Sequence, residues 1–409
     1  MANSSARFSV ILVASWMSYD FTSSPIGAGL VAFLGFAPPL LLGPFIGSIA
    51  DRFERSRLIV TSSVLGCSMS VFAIAAGFLG RLNLFVSLFL ALCTGLAFTL
   101  EQPSRTALVP SLVGPNSKLM NSFSVMRLSS QGAEFIGPAI TTTALALAGS
   151  EPALAVCAAF YGIGAVFASR IHLHPMASSG PLNRDGSQSA VERRSPAWSG
   201  VREGLSYIKK ESVISALILF VGFHCTLTMA FTGLLPSISV SPLGGGSETY
   251  GLIMTCIGAG SIAGSLLTAF FPDVASGRSV LLLSAILSGA TLSFLGVETS
   301  VLGAYVVSFA IGASQSTFMV LIQAHTQSLT KETFRGRVAG LSFFFTAGVM
   351  GISSLVQGYA ATLFTTPDTI ILVTGVIFVL VTFAMIGIFP NLRSKQLGTY
   401  ASTGDTIKI

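Results

Sequence analysis

Gly47-Ser48-Ile49-Ala50-Asp51-Arg52-Phe53-Glu54-Arg55-Ser56-Arg57 interrupts an otherwise apolar chain. A hydrophobic run ends at this knot and another begins at Leu58. Apolar sequence on both flanks makes the knot a tight hairpin between two membrane helices. Three arginines and two acids fall within the seven residues from Asp51 to Arg57, so the turn sits in water or among lipid headgroups. Gly47 and Ala50 let the end of the preceding helix approach a neighbour closely. Asp51 can face the positive N-terminal end of another helix. Arg52, Arg55 and Arg57 hold the turn on the cytoplasmic side.

Composition agrees with a membrane chain. Of 409 residues 52% are hydrophobic and only 9% charged, with a mean hydropathy of +0.78. Soluble domains carry roughly 25% charged residues. The net charge of +6 does not mark a nucleic-acid binder, because the basic residues lie between hydrophobic runs. Cys67, Cys93, Cys157, Cys225 and Cys256 all lie inside apolar stretches without metal-ligand spacing, and read as small core residues. No cleavable signal peptide is expected. No Gly-x-x-x-x-Gly-Lys-Ser/Thr loop is present, which argues against ATP drive by this chain. No metal or other cofactor is implied, and no enzymatic chemistry.

A spanning helix needs roughly 20 apolar residues. That ruler predicts spans near 7–22, 25–50, 57–79, 82–106, 118–148 and 152–171, then 211–236, 248–272, 279–297, 300–325, 337–364 and 368–390. The first is short, with Arg7 at its start. If the N-terminus is inside and the spans alternate, only Arg81 of the 22 basic residues falls outside, while Glu151, Glu248, Glu298 and Asp368 go outside. Both termini are therefore expected in the cytoplasm. Residues 172–210 are too polar to span and too poor in apolar side chains to form a core. Within them, Trp198 to Lys210 fits either a surface-lying amphipathic helix or a plain tether.

Adding 217 to first-half positions carries Pro25 to Pro242, Gly27 to Gly244, Gly29 to Gly246, Gly43 to Gly260, Gly47 to Gly264 and Gly95 to Gly312. A constant, gapless shift marks an internal repeat. The predicted fold is an all-α membrane protein of about twelve transmembrane helices. These form two six-helix bundles related by a pseudo-two-fold axis. The expected division is residues 1–171 for the first bundle, 172–210 for a cytoplasmic linker, 211–392 for the second bundle and 393–409 for a cytoplasmic tail. The charged knot is not repeated, since Thr268 and Ala269 stand where Asp51 and Arg52 would project.

The knot resembles the Gly-x-x-x-Asp-Arg-x-x-Arg loop between the second and third helices of the major facilitator superfamily. Glu54 and Ser56 depart from its usual form. The resemblance implies two bundles rocking about a midplane cavity. It also implies a gating role for Gly47, Asp51, Arg52, Arg55 and Arg57, with Asp51 docking on the helix that follows Lys331, Arg335 and Arg337. Members usually have a longer first helix than the one predicted here.

Polar residues inside spans are costly and tend to face a cavity or a partner. Glu101 and Arg105 stand four apart on one helix face, just around Pro103. They read as a proton-sensitive pair or as a structural salt bridge. Arg127, Gln131 and Glu134 share one stripe of the fifth span. Glu134, desolvated in a central cavity, is the first candidate for proton binding; a permanent partner for Arg127 is the alternative. Gly137-Pro138 resembles the Gly-Pro element in the fifth helix of superfamily antiporters and exporters, although Thr141 and Thr142 replace the glycines that continue it. A Gly-Pro step kinks and thins a helix, and the resemblance favours export. His224 is a candidate titrating group in the cavity or a buried, hydrogen-bonded histidine. Gln315, Gln323 and Gln357 offer neutral hydrogen bonds to a substrate or to neighbouring helices. Asp20 is expected at headgroup level.

Glu101-Gln102-Pro103-Ser104-Arg105-Thr106-Ala107-Leu108-Val109-Pro110-Ser111-Leu112-Val113, with Leu119-Met120-Asn121-Ser122 and Phe334-Arg335-Gly336-Arg337-Val338, is similar to enterobactin-exporter-like facilitators. That resemblance implies a secondary active exporter, a proton-coupled antiporter of a small hydrophobic or amphipathic compound such as a drug or siderophore. Its expected setting is a monomer in the inner membrane of a bacterium. The same fold also accommodates a lipid flippase, a nutrient uptake carrier, or a non-transporting receptor or accessory subunit.

Overall fold

The computed structural model describes residues 1–50, 54–113, 119–170, 197–268, 274–331 and 334–388. Within its helices the side chains at 43–50, 55, 106–107, 109–113, 119–128, 131, 134, 197–201, 274–278, 335–336 and 344 are outside the described set. All regular structure among the described residues is helical. The first half holds α1 (Ala2–Thr22), α2 (Pro25–Ala50), α3 (Arg55–Phe78), α4 (Leu84–Val113), α5 (Leu119–Ala148) and α6 (Ser150–Ser169). The polar stretch between halves contributes α7 (Ala197–Lys210). The seventh span is built in pieces: α8 (Ser212–His224), a π turn at Cys225–Met229, a 3-10 turn at Ala230–Gly233, and α9 (Leu235–Val240). Then come α10 (Ser247–Thr268), α11 (Val274–Leu295), α12 (Val301–Leu329), α13 (Arg335–Leu363) and α14 (Pro367–Ile388).

Among the described residues, nine helical stretches are long and apolar enough to cross a membrane, and Phe135–Ala148 and Ser279–Leu295 are shorter apolar ones. With α1 these make the twelve spans of an all-α membrane protein in two six-helix bundles related by a pseudo-two-fold axis. The 217-residue shift reaches well beyond the glycines. It carries the start of α4 onto that of α12, the start of α6 onto that of α14, and the end of α3 onto that of α11.

Two expectations are corrected. The first helix is not short: it runs 21 residues from Ala2 and takes in Asn3, Ser4 and Ser5. These polar residues hid it from a hydropathy ruler, but Asn3 and Ser5 are buried against other helices. Arg7 therefore lies inside the span and not at its flank. The fourth span is longer than predicted, since α4 continues through Pro103 to Val113. α1 ends where Ser23 adopts a left-handed conformation (φ 49°, ψ 28°), and Pro25 opens α2.

Small residues set the helix spacing, as expected where lipid supplies no hydrophobic drive between helices. Gly260, Gly264 and Gly312 bring α10 and α12 into backbone contact. Gly95, the repeat mate of Gly312, brings α4 against Gly35 and Leu34 of α2.

Two seams join the bundles. Along the first, α2 lies against α13: a Cβ on Gly29 would stand 2.8 Å from the Ser354 carbonyl oxygen, and one on Gly358 would stand 2.9 Å from that of Pro25. Ser24 Oγ and Thr362 Oγ1 close this seam's end at 3.2 Å. Along the second seam, Gly251 of α10 receives Thr142 of α5. At the same end Trp16 stacks on Tyr250 at 5.9 Å, and one apolar cluster containing Met17, Phe231, Leu235 and Tyr250 crosses between bundles.

α7 is a helix docked on protein. Gly204 and Ile208 are buried, while Arg202, Glu203, Leu205, Lys209 and Lys210 are exposed. Gly204 seats against Leu341, Tyr207 stacks on Phe334 at 4.3 Å, and Glu203 pairs with Arg337 at 2.7 Å.

Candidate functional site

Chemistry concentrates where α1, α3, α4 and α6 meet. Glu101 is 8% exposed where the apolar part of α4 gives way to Gln102, Ser104 and Arg105. Its Oε1 lies 3.5 Å from the Arg105 guanidinium, one turn along the same helix. Arg105 in turn ties three helices, donating to Ser4 of α1 at 2.9 Å, Gln102 of α4 at 3.1 Å and Ser130 of α5 at 3.3 Å. Asn3 of α1 donates its amide to Ser63 of α3 at 2.7 Å. Gly164 of α6 leaves the space that the Asn3 side chain fills. Tyr161 of α6 is fully buried beside this group, over Gly66. A buried carboxylate is tolerated only when paired and hydrogen-bonded, and Arg105, one turn along the same helix, supplies the pairing.

Arg7 stands within electrostatic reach of Glu101. Its guanidinium carbon lies 3.6 Å from the centroid of Phe98, 5.4 Å from that of Phe36 and 5.7 Å from that of Phe8. Phe98 meets Phe343 of α13 at 6.0 Å, so the arginine sits one aromatic ring from the second bundle. Hydropathy alone missed it, because it assigned Arg7 to the flank. The signal available was the Phe8, Phe36 and Phe98 set, which no local pattern connects.

The repeat shift sets a second cluster in the same position. It carries Arg7 to His224, Asn3 to Phe220, Glu101 to Phe318 and Tyr161 to Phe378. His224 stacks on Phe318 at 4.2 Å and meets Phe378 edge-on at 5.2 Å, with Nε2 at 3.1 Å from Ser288 Oγ. It is fully buried among aromatic rings.

Next to His224 the seventh span leaves α-helical geometry. A π turn displaces carbonyls from their usual partners, and side chains take up the slack. Gln357 donates to the Thr226 carbonyl at 2.8 Å, Gln315 to that of Thr228 at 2.5 Å, and Ser354 to that of Ala230 at 2.9 Å. Gln315 and Gln357 are thus interhelical ties, and Gln323 is half-buried. Gly137 lets α5 pack on the backbone of Ser5, with Pro138 inside the helix and Thr141 donating to Ser9 at 2.7 Å.

Other predicted residues fall outside the described set. Arg127, Gln131 and Glu134 ride on α5, but their side chains are not described; the same holds for Arg55 and for the residues around Gly47. Asp51 and Arg52 lie outside the described residues altogether. Arg57 pairs with Glu54 at 2.8 Å on the exposed start of α3, and Asp20 is exposed.

Residues 3–402 match the family model described as transmembrane secretion effector. The chain belongs to this family of the major facilitator superfamily. Among relatives, the staphyloferrin A transporter of Staphylococcus aureus is 22% identical over 362 residues, covering 86% of this chain and 84% of its own. Macrolide efflux protein A of Streptococcus pyogenes is 22% identical over 336 residues, 81% and 79% of the two chains. The fold is shared with the nucleoside transporter NupG at a TM-score of 0.68 and 14% identity, covering 95% of this chain and 98% of that one. It is shared too with a bacterial homolog of the human lysosomal transporter Spinster in an inward-facing conformation. That TM-score is 0.68 at 13% identity, over 98% and 95% of the two chains. The protein is therefore a multi-pass membrane transporter of this superfamily, with efflux proteins among its relatives.

Proposed function

We propose that the protein is a proton-driven exporter of a small amphipathic compound, working by alternating access in a bacterial cytoplasmic membrane with both termini inside. The bundles at residues 1–171 and 211–392 rock as a single-chain transporter, joined by 172–210 and followed by a tail at 393–409. On this reading the seam closed by Ser24 and Thr362 is the outer gate. Asp51 latches the inner one.

The observation that carries the reading is the buried Glu101, paired with Arg105 and within electrostatic reach of Arg7, whose Phe98 neighbour meets Phe343 of the opposite bundle. Such a carboxylate exchanges a proton when its surroundings change, and rocking would move Phe343 of the second bundle away from Phe98 and open this side of the cluster to water. Glu134 with Arg127 and Gln131 is a second stop on the same route. The efflux relatives support the outward direction.

The test is transport in proteoliposomes under an imposed pH gradient, starting with a macrolide and staphyloferrin A, the compounds named for relatives. Acidifying the side toward which the compound moves should accelerate transport, and Glu101→Gln should remove that acceleration. Transport by Glu101→Gln with the wild-type pH dependence would sink the assignment of the proton to Glu101.

A further inference from the structure

We infer that the outward face of α7 binds anionic phospholipid headgroups through Arg202, Lys209 and Lys210. This goes beyond the transport reading and holds whichever way the cargo moves.

Three observations carry it. First, one side of α7 is used and the other is not. Gly204 seats on Leu341, Tyr207 stacks on Phe334, and Ile208 joins Val338 in one apolar cluster. The helix touches α2 as well, so it lies across the seam between the bundles. Facing away, Arg202, Leu205, Ser206 and Lys209 recur at the spacing of one helix face, and all four are exposed.

Second, the uncommitted charge on this helix is of one sign. Arg202, Lys209 and Lys210 have no ion pair among the described residues, whereas Glu203, the one acid of α7, is taken by Arg337 at 2.7 Å. Exposed Lys331 stands beside them, its backbone N–H donating to the Tyr207 hydroxyl at 3.2 Å. Glu211, partly buried, follows at the start of α8. A lipid phosphate is the anion that a membrane presents to such a stripe.

Third, the helix lies at headgroup depth. α13 has 29 residues and is about 43 Å long, against a hydrocarbon core of about 30 Å. Its first turns therefore project into the headgroup layer, and those are the turns on which α7 packs. At the other end Lys210 comes two residues before α8 enters its span at Ser212. Exposed Leu205 among cations suits the boundary between headgroup and acyl chain, with the lysine stems lying along it.

The experiment puts a bimane label on Ser206→Cys in the full-length protein, with the five native cysteines replaced by alanine. Nanodiscs hold an equimolar mixture of phosphatidylglycerol and phosphatidylcholine with matched chains, and bromines are placed on one lipid or the other. The ratio of quenching reports which lipid sits against α7. A cation near an anionic membrane surface contributes about fivefold, so phosphatidylglycerol should be favoured about fivefold or more. The triple variant Arg202→Gln/Lys209→Gln/Lys210→Gln should bring the ratio close to one, and high salt should lower it in the wild type. Equal quenching by the two lipids in the wild type would overturn the inference, and so would an undiminished preference in the triple variant. Absence of quenching by either lipid would place this face in water or under another protein, and would overturn it too. If the triple variant does not fold, the three single variants decide, each expected to lose part of the preference.

Discussion

Replacing Gly29 by valine should pry the bundles apart at the Ser24/Thr362 end. A Cβ there stands 2.8 Å from the Ser354 carbonyl oxygen, and the next nearest atoms, at 3.5 Å, are also backbone. Backbone cannot rotate away as a flexible side chain can. The approach falls about 0.6 Å short of the 3.4 Å at which contact becomes ordinary, so α2 and α13 must separate. Overpacking of this kind costs about 1–3 kcal/mol. The cost is borne only while the seam is closed, so it shifts the balance between closed and open forms by roughly fivefold to 150-fold. The readout is a disulfide between Ser24→Cys and Thr362→Cys, in a background with the five native cysteines replaced by alanine. The two native hydroxyl oxygens are 3.2 Å apart, so closed molecules should cross-link. Gly29→Val should lower the cross-linking rate, by up to that same factor, under conditions where opening is rapid. Gly162→Val is the control, because a Cβ there meets nothing within 4 Å. Unchanged cross-linking in a folded Gly29→Val protein would show that this seam does not open and would refute the argument.

Other consequences are smaller. Gln315→Leu leaves the Thr228 carbonyl of the broken seventh span without its donor, at a cost of about 1–3 kcal/mol, and a lower midpoint in thermal unfolding should report it. Gln357→Leu should act likewise through Thr226, while Gln323→Leu, at a half-buried position with no described bond, should be milder. Tyr207→Ala removes the stack on Phe334 that docks α7 and should expose the 197–210 segment to protease. Glu203→Ala breaks only an exposed ion pair, worth about 0–1 kcal/mol, and should leave protection nearly intact. Gly164→Leu fills the space taken by Asn3 and should destabilise the first bundle more than Gly162→Leu does.

Much of this architecture was legible in the residues, and the reasons differ by feature. Span number and the repeat were readable because apolar length and glycine placement are local signals. The start of α1 was not, since Asn3, Ser4, Ser5 and Arg7 read as polar flank and become intramembrane only through partners on α3, α4 and α6. The pairing of Glu101 with Arg105 was visible as an i, i+4 spacing. The tie from Arg105 to Ser4 required the tertiary fold. Gln315 and Gln357 were recognisable as intramembrane donors, but their acceptors were not, because nothing in Cys225-Thr226-Leu227-Thr228-Met229 announces a π turn.

The two halves share a backbone plan and divide the chemistry. At one level of the repeat the first bundle places Asn3, Arg7, Glu101 and Tyr161, and the second places Phe220, His224, Phe318 and Phe378. Charge in a span demands compensation that changes with geometry, so a charged cluster senses a rearrangement of its neighbours. Interlocking rings do not; they resist deformation and keep their packing through a rigid-body rotation. The break in the seventh span lies directly beside the aromatic cluster, and its freed carbonyls are held by neutral donors from α12 and α13. The irregular span thus belongs to the half with no buried acid among the described residues. On the proposed reading the first bundle, with its charged cluster, would respond to protonation, while the second carries the irregular span. Exchanging the two chemistries at matched positions, with Glu101→Phe in one half and Phe318→Glu in the other, should not restore transport even where both chains fold. The carboxylate would then lie beside His224 and no longer on the helix of Arg105, and recovery of activity in that double variant would show that the halves are interchangeable.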